Sequence, residues 1–269
     1  MKRRRLLVVI LIIFIYIGYG FYNGLKTTYF TYTSGTLPQE FDGYRIAFIS
    51  DFHCKMIGEN EEKLIQAIDN CKPDIIVFTG DMVDDRHKDI TAVQDLLSGL
   101  AGKYPMYAIS GNHEKDIPAN YTKLLEYYNR YGVSFIDNDS KIIKKGNAQI
   151  GIYGKSFVGG YYTTEFLKGP DTSKSDFNIL LYHDATAFPA ISSLGYDLVL
   201  SGHTHGGVIR FPLIGGLLTN EGTLFSTYDN GVYRMLNSTL ISSRGIGDTS
   251  IPRFYNRSEL ICVTLNSTK

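Results

Sequence analysis

Residues 196–207 read Tyr-Asp-Leu-Val-Leu-Ser-Gly-His-Thr-His-Gly-Gly, an apolar run that stops on Gly202-His203-Thr204-His205-Gly206-Gly207. A short apolar run closed by glycine predicts a buried strand over 196–201. Strand side chains alternate faces, so histidines at i and i+2 are expected to point the same way and to address one ion or a pair of ions. The flanking glycines remove Cβ atoms where backbone must approach a ligand or take a positive φ. Alone, a His-x-His pair in a glycine turn reads first as two polar turn residues. Its weight comes from the rest of the chain, which supplies partners in the same setting.

Working outward, residues 44–50 (YRIAFIS) run into Asp51-Phe52-His53 and residues 74–79 (DIIVFT) into Gly80-Asp81. Residues 104–110 (YPMYAIS) run into Gly111-Asn112-His113-Glu114, and residues 178–182 (NILLY) into His183-Asp184. Helical spacing over 59–70, with Leu64, Ile65 and Ile68 on one face, and again over 90–100 separates the first three strands. That order predicts parallel pairing through crossovers. After a helix over 121–131 the chain changes character. Short strands are expected at 133–136, 141–145, 149–153, 207–211, 239–243 and 260–265, joined by Asn, Asp and Gly turns, with a short helix at 187–193. The mixture predicts an α/β fold of two packed sheets flanked by helices rather than one all-parallel sheet.

In α/β folds, sites form beyond the carboxyl ends of strands. Five strand ends would therefore deliver Asp51 with His53, Asp81, Asn112, His183, and His203 with His205 to one crevice. Of the six histidines, only His87 lies outside these segments. Singly, each residue has an ordinary structural role: Asp81 as a helix cap, Asn112 in a turn, His183 as a satisfied core histidine. Together they point to a ligand cluster. A carboxylate, imidazole and amide set without thiolate suits Mn, Fe or Zn. Seven donors are too many for one tetrahedral ion and match two divalent metal ions sharing a carboxylate. Such a pair, ~3.5–4 Å apart, lowers the pKa of a held water toward ~7 and stabilises in-line displacement at phosphorus. The three cysteines, Cys54, Cys71 and Cys262, predict neither a disulfide framework nor a Cys-x-x-Cys metal site, and alternation turns Cys54 away from the face of Asp51 and His53.

In order and rough spacing, Asp51-x-His53, Gly80-Asp81, Gly111-Asn112-His113-Glu114, His183 after a strand, and Gly202-His203-x-His205 resemble the five blocks of calcineurin-like metallophosphoesterases. The resemblance runs from about residue 44 to the C-terminus. Gly206-Gly207, Ser243-Arg244-Gly245-Ile246-Gly247 and Ile251-Pro252-Arg253-Phe254 resemble a membrane-associated bacterial subgroup. The resemblance implies a four-layered metallophosphoesterase sandwich of two mixed β-sheets flanked by helices. It implies one metal on Asp51, His53, Asp81 and His205 and another on Asp81, Asn112, His183 and His203, with Asp81 bridging. His113 would face the substrate, stabilising phosphoryl charge or protonating the leaving oxygen, with Glu114 orienting it. Tyr182-His183-Asp184 departs from the common pattern, which carries Ser or Gly before this histidine and Pro soon after it. That departure bears on the loop around His183, not on its ligand role.

At 269 residues, 43% hydrophobic and 20% charged, the chain can bury one sizeable core. The formal charge is zero, but Lys2, Arg3, Arg4 and Arg5 precede every other charge, which leaves 23 of the 27 basic residues against 27 acidic ones, a net of −4. A mildly acidic body argues against a general polyanion-binding surface, and no specific nucleic-acid or protein partner is inferred. Residues 6–22 carry no charge, fall within the ~17–25 residues of a membrane span, and end with Tyr16, Tyr19 and Tyr22, which suit an interfacial belt. An uncleaved N-terminal transmembrane helix is expected, with a cleaved signal peptide or twin-arginine export as alternatives. The expected organisation is a basic N-terminus and anchor (1–25), a tether or edge segment (26–43) and a metallophosphoesterase domain (44–269). Positive residues stay on the cytoplasmic side, which would place that domain outside the cytoplasm, at the cell membrane. Arg244 and Arg253 are candidates for phosphate contact, and the 20 tyrosines for a sugar or lipid-head surface or for core. The expected activity is hydrolysis of phosphodiesters or phosphomonoesters, diesters preferred, in a lipid, a wall polymer or an extracellular nucleotide. The competing expectation is a membrane-tethered protein that binds phosphorylated ligands without turning them over.

Overall fold

Strand β2 (Tyr44–Ile49) shows why the protein is layered. Ile46 and Phe48 point to one core and Ala47 and Ile49 to another, and all four are fully buried. A strand apolar on both faces needs a layer on each side. In the computed structural model, which describes residues 2–160, 162–219 and 222–268, helices cover one side and a second sheet the other.

The first sheet has the order β1 (Lys26–Ser34), β14 (Glu259–Ser267), β2, β3 (Ile75–Phe78), β4 (Met106–Ala108), β5 (Val133–Phe135). Strands β2 to β5 run parallel, β14 is antiparallel to β2, and β1 is parallel to β14. Its outer face is covered by α2 (Glu62–Cys71), α3 (Thr91–Leu100) and α4 (Pro118–Tyr131), whose Leu64, Ile68, Leu96, Leu97 and Leu124 share one core with Ala47 and Phe78. These helices are the crossovers that parallel pairing demands. The second sheet has the order β12 (Gly231–Met235), β13 (Ser238–Ser242), β9 (Leu198–Gly202), β8 (Phe177–Asp184), β7 (Ala148–Lys155), β6 (Ser140–Lys145). Here β13, β9, β8 and β7 are parallel, and the outer strands β12 and β6 are antiparallel to their neighbours. In β9, Leu198 and Leu200 face the first sheet, whereas Val199 faces α5 (Thr164–Leu167) and α6 (Phe188–Ile191). The result is helix, sheet, sheet, helix. A small hairpin, β10 (Ile209–Phe211) and β11 (Gly215–Leu218), stands outside both sheets.

Four expectations change. Helix α2 starts at Glu62 rather than 59 because Asn60 and Glu61 hold positive φ (49° and 62°), which breaks a helix. Residues 26–34 form the edge strand of the first sheet, with Phe30 and Tyr32 against the inter-sheet core, so this stretch is an edge segment rather than a free tether. Cys71 and Cys262 form a disulfide joining the end of α2 to β14, with Cα atoms 6.0 Å apart and 191 residues between them. An odd, sparse cysteine count gives no hint of such a pair. Cys54 is buried with its sulfur facing Met82 O at 3.8 Å.

The fourth change concerns the N-terminus. Helix α1 (Lys2–Gly20) begins with four basic residues, which leaves 6–20 as its apolar part, about 22 Å at 1.5 Å per residue against the ~30 Å of a bilayer core. Among the described residues no helix is long and apolar enough to cross a membrane. In α1, Leu6, Leu7, Leu11, Phe14 and Ile15 are all more than half exposed.

The disulfide closes a loop of most of the domain, so Cys71→Ser or full reduction is expected to lower the free energy of unfolding by about 2–4 kcal/mol. Denaturant titration with and without reductant checks this, and equal midpoints for both forms would show that the cross-link contributes nothing.

Candidate metal centre

The carboxyl ends of β2, β3 and β4 in one sheet and of β8 and β9 in the other meet at one edge of the sandwich. Asp51 and His53 follow β2, Asp81 follows β3, Asn112 and His113 follow β4, His183 is the penultimate residue of β8, and His203 and His205 follow β9. The loops are tied to one another by main-chain bonds, Asp51 N to Gly80 O (3.1 Å) and His53 N to Asp81 O (3.0 Å). All seven expected ligands are brought together, with Asp51, Asp81 and His183 at 0–1% exposure.

Two groups form. Asp51, His53 and His205 have ligand atoms within 4.8 Å of one another, as have Asp81, His183 and His203. In the second group His183 Nδ1 donates to Thr79 O at 2.8 Å, so in the neutral ring Nε2 is the lone pair. That lone pair lies 3.2 Å from Asp81 Oδ2 and 3.1 Å from Asn112 Oδ1, both acceptors. Three lone pairs converging in a buried place require a cation or a proton between them. In the first group His53 Nε2 and His205 Nε2 face each other at 3.3 Å, with Asp51 Oδ1 3.7 Å from His205 Nε2. Asp81 Oδ2 is also 3.7 Å from His53 Nε2, so one carboxylate oxygen reaches both groups. The donor set therefore fits divalent cations.

Electrostatics agree. Burial alone would raise Asp81, yet His183, its hydrogen bond and His53 hold it below the usual carboxylate range. Burial works against a charge on His183, but Asp81 and Asp51 outweigh it and carry that imidazole up to about 10. Burial, with His53 and Arg253 behind it, pushes His205 well below its ordinary value, and burial also lowers His53. Neutral imidazole, the form that binds metal, is thus favoured at His205 and His53, whereas the proton that Asp81 and Asp51 hold on His183 is one that a cation would displace.

The two histidines of the His-x-His pair do not share a direction by strand alternation. His203 and His205 hold φ of 71° and 49°, outside β geometry, and the pair is divided between the two groups. Asp51, His53 and Asp81 likewise sit at positive φ (50°, 46° and 54°). Non-glycine residues in this region carry strain that cross-loop bonds must hold, here His203 N to both oxygens of Asp51 (3.0 and 3.2 Å) and His113 N to Asp81 Oδ1 (2.9 Å). Glycine is needed at 202, where a Cβ would overlap Ser50 Oγ and Asp51 Oδ2, and at 111, where it would overlap Asp81 Oδ1.

Residues 44–207 match the family model of the calcineurin-like phosphoesterases. The chain belongs to this family. It is 32% identical to the uncharacterized metallophosphoesterase YkuE of Bacillus subtilis, over 93% of this chain and 91% of that protein. It is 29% identical to phosphodiesterase YaeI of Escherichia coli, over 64% of each. Among solved structures, the sulfate thiohydrolase SoxB of Thermus thermophilus superposes with a TM-score of 0.50 at 12% identity, over 86% of this chain and 57% of SoxB, a likeness of fold. This metallophosphoesterase is thus a metal-dependent phosphoester hydrolase.

Around the ligands, several side chains differ from expectation. Glu114 does not touch His113: it accepts from Met82 N (2.7 Å) and Gly111 N (2.6 Å) and so ties the Asp81 loop to the Asn112 loop. Burial and Asp81 raise its carboxyl to about 8. The partner of His113 Nδ1 is Asp116. Burial disfavours a charge on His113, but Asp81 and the Asp116 hydrogen bond prevail and raise it. Arg253, 4% exposed, does not face a phosphate cavity: it donates to Gly247 O (2.7 Å) and Arg244 O (2.8 Å) and stands 3.2 Å from His205 Nδ1. Arg244 pairs with Glu259 at 2.7 Å. Asp84, 3.7 Å from His53 Nδ1, and Asp184, 3.7 Å from His203 Nε2, flank the ligands as buried carboxylates. In the sequence, Asp84 and Asp116 stand two or three residues past a recognised block, with no signal beyond that closeness. Asp184 directly follows His183, in the block that departs from the common pattern by Tyr182 before the histidine and by the lack of a Pro soon after it.

With Asp116→Asn, His113 loses one of the charges that hold its proton. The alkaline limb of the pH–rate profile, where His113 must still be protonated, is expected to move to lower pH with metal content unchanged. An unmoved limb would dissociate Asp116 from His113 function.

Proposed function

We propose that this metallophosphoesterase is a binuclear phosphodiesterase held at a membrane, with the seven donors Asp51, His53, Asp81, Asn112, His183, His203 and His205 binding two divalent cations from among Mn, Fe and Zn. The observation that carries the binuclear reading is the reach of Asp81 Oδ2 to both donor groups, 3.2 Å to His183 Nε2 and 3.7 Å to His53 Nε2. When bound, such a pair supplies Lewis acidity and a water of lowered pKa for attack at phosphorus.

The chain's own residues supply the rest. Asp116 occupies Nδ1 of His113, so Nε2 is the ring atom left to hold a proton for the departing ester oxygen. The centre borders a cavity on each flank. One, of about 220 Å³, lies beside His53, His113 and His205, and the other, of about 310 Å³, beside His203. A diester has a substituent for each side, and this favours diesters over monoesters. Besides its histidines, the first cavity is lined by Asp84, Asp85 and Asp248, with Arg86 as the one arginine or lysine among its described residues. An anionic phosphate would be repelled there without the cations, so substrate binding itself should need metal.

The membrane reading rests on α1, which is apolar on every side beyond its basic first turn and mostly exposed. Such a helix needs a hydrophobic surrounding, and a lipid surface offers one. The Cys71–Cys262 disulfide favours an oxidising compartment outside the cytoplasm for the catalytic body. The physiological substrate would then be a phosphoester of a lipid or of the cell envelope.

Full-length protein loaded with Mn²⁺ is expected to hydrolyse bis-p-nitrophenyl phosphate, and His113→Ala to lower kcat by about 10²–10⁴-fold while keeping its metals. Asp81→Asn is expected to lose both metals, read by elemental analysis. Two bound metals with no turnover of any phosphoester would favour a membrane-tethered binding protein for phosphorylated ligands instead.

A further inference from the structure

The turn of the β10–β11 hairpin reads Phe211-Pro212-Leu213-Ile214-Gly215, apolar where exposed turns are normally polar. Leu213 and Ile214 stand 108% and 68% exposed, and Leu213 is held at φ 72°, a conformation disfavoured for leucine. Neither sheet uses this hairpin, so packing within the domain does not explain its apolar tip.

What lies beside it does. Tyr255 lines the same cavity as Leu213 and Ile214, and its hydroxyl donates to Tyr16 O of α1 at 2.8 Å. The Tyr16 and Tyr255 rings are 4.9 Å apart. Next to it, Phe254 meets Phe211 of the hairpin (5.8 Å) and Phe21 just after α1 (5.0 Å). The hairpin and the end of α1 therefore flank one aromatic pair. That end of α1 carries exposed Tyr16 and Tyr19, residue types that favour the headgroup level of a bilayer.

We infer that Leu213 and Ile214 form a second membrane contact, inserted at the headgroup and upper acyl level of the same lipid surface as α1. This rests on the reading of α1 given above. Two contacts fix orientation where one permits swivelling. Strand β10 starts four residues after His205, and Arg253, beside Phe254, touches His205. The surface-bound block thus continues directly into the metal centre and would hold its cleft toward phosphoesters carried by the lipid surface.

The chain contains no tryptophan, so a single introduced indole reports on its own site. Leu213→Trp is compared with Leu236→Trp, which replaces a leucine 75% exposed and at φ 52° in the β12–β13 turn, at the far end of the second sheet from the centre. Full-length protein is reconstituted into phosphatidylcholine and phosphatidylglycerol vesicles, isolated by flotation, and measured with brominated phosphatidylcholine. The Leu213→Trp emission is expected to shift to the blue on reconstitution and to be quenched several-fold more strongly than that of Leu236→Trp. Both variants should keep the parent's hydrolysis of bis-p-nitrophenyl phosphate, which establishes that they fold. Flotation with equal, weak quenching of the two indoles would overturn the hairpin contact while leaving α1 as an anchor. A blue-shifted Leu213→Trp that brominated lipid does not quench would mean protein covers the tip, and also overturns the contact. Failure to float would overturn both.

Discussion

One buried carboxylate oxygen, Asp81 Oδ2, governs this structure. It lies within 4 Å of imidazole nitrogens from both sheets, His53 after β2 and His183 in β8, and water is excluded from all three side chains. Charge is costly in such a place unless countered, by a proton held on His183 or by a bound cation. Divalent cations resolve this, since each carboxylate becomes a ligand and each neutral imidazole a lone-pair donor. The arrangement of strands follows from that demand. Parallel β2, β3 and β4 bring three loops to one edge, parallel β8 and β9 bring two more, and the apolar face between the sheets sets the loops opposite each other.

Such convergence requires backbone that strands do not supply. Asp51, His53, Asp81, His203 and His205 all have positive φ, and the strain is borne by bonds that these same residues make. Asp51 illustrates the economy: besides its place in one donor group, its carboxylate accepts from the amide of His203 and so fixes the turn that carries a histidine of the other group. Glu114 does the same between the Asp81 and Asn112 loops. Ligand geometry and loop geometry are thus one set of interactions, and a change at one ligand should disturb the others non-additively.

The parts of this design legible in the sequence are those with a local signature. Apolar runs ending on Asp, Asn or His marked β2, β3, β4, β8 and β9, and their ligands are together in space. Strand alternation does not account for the His203–His205 pair, because both residues lie beyond the end of β9 at positive φ. Strand β1 was ambiguous since KTTYFTYTS buries little more than Phe30 and Tyr32, and its pairing partner lies at the far end of the chain. The disulfide was hidden for the same reason: 191 residues separate its cysteines. Arg253 looked like a phosphate ligand because arginines often are, yet its guanidinium is committed to the carbonyls of Gly247 and Arg244. No one-dimensional pattern distinguishes an arginine aimed at a substrate from one aimed at its own main chain.

That commitment has a consequence for how the centre is held. Arg253 is buried among carbonyl acceptors, its positive charge helps keep His205 neutral, and burial lowers its own value from the ordinary one to about 10. It is therefore a rigid strut rather than a mobile clamp. One residue on, Phe254 joins the hairpin by main-chain bonds to Val208 and Arg210, and Tyr255 N donates to Gly20 O at the end of α1. From His205 to α1 the path is a few residues of buried or hydrogen-bonded chain with no flexible linker. A helix so attached cannot serve as a loose leash. The angle between α1 and the metal centre is therefore set by the fold and not by a linker.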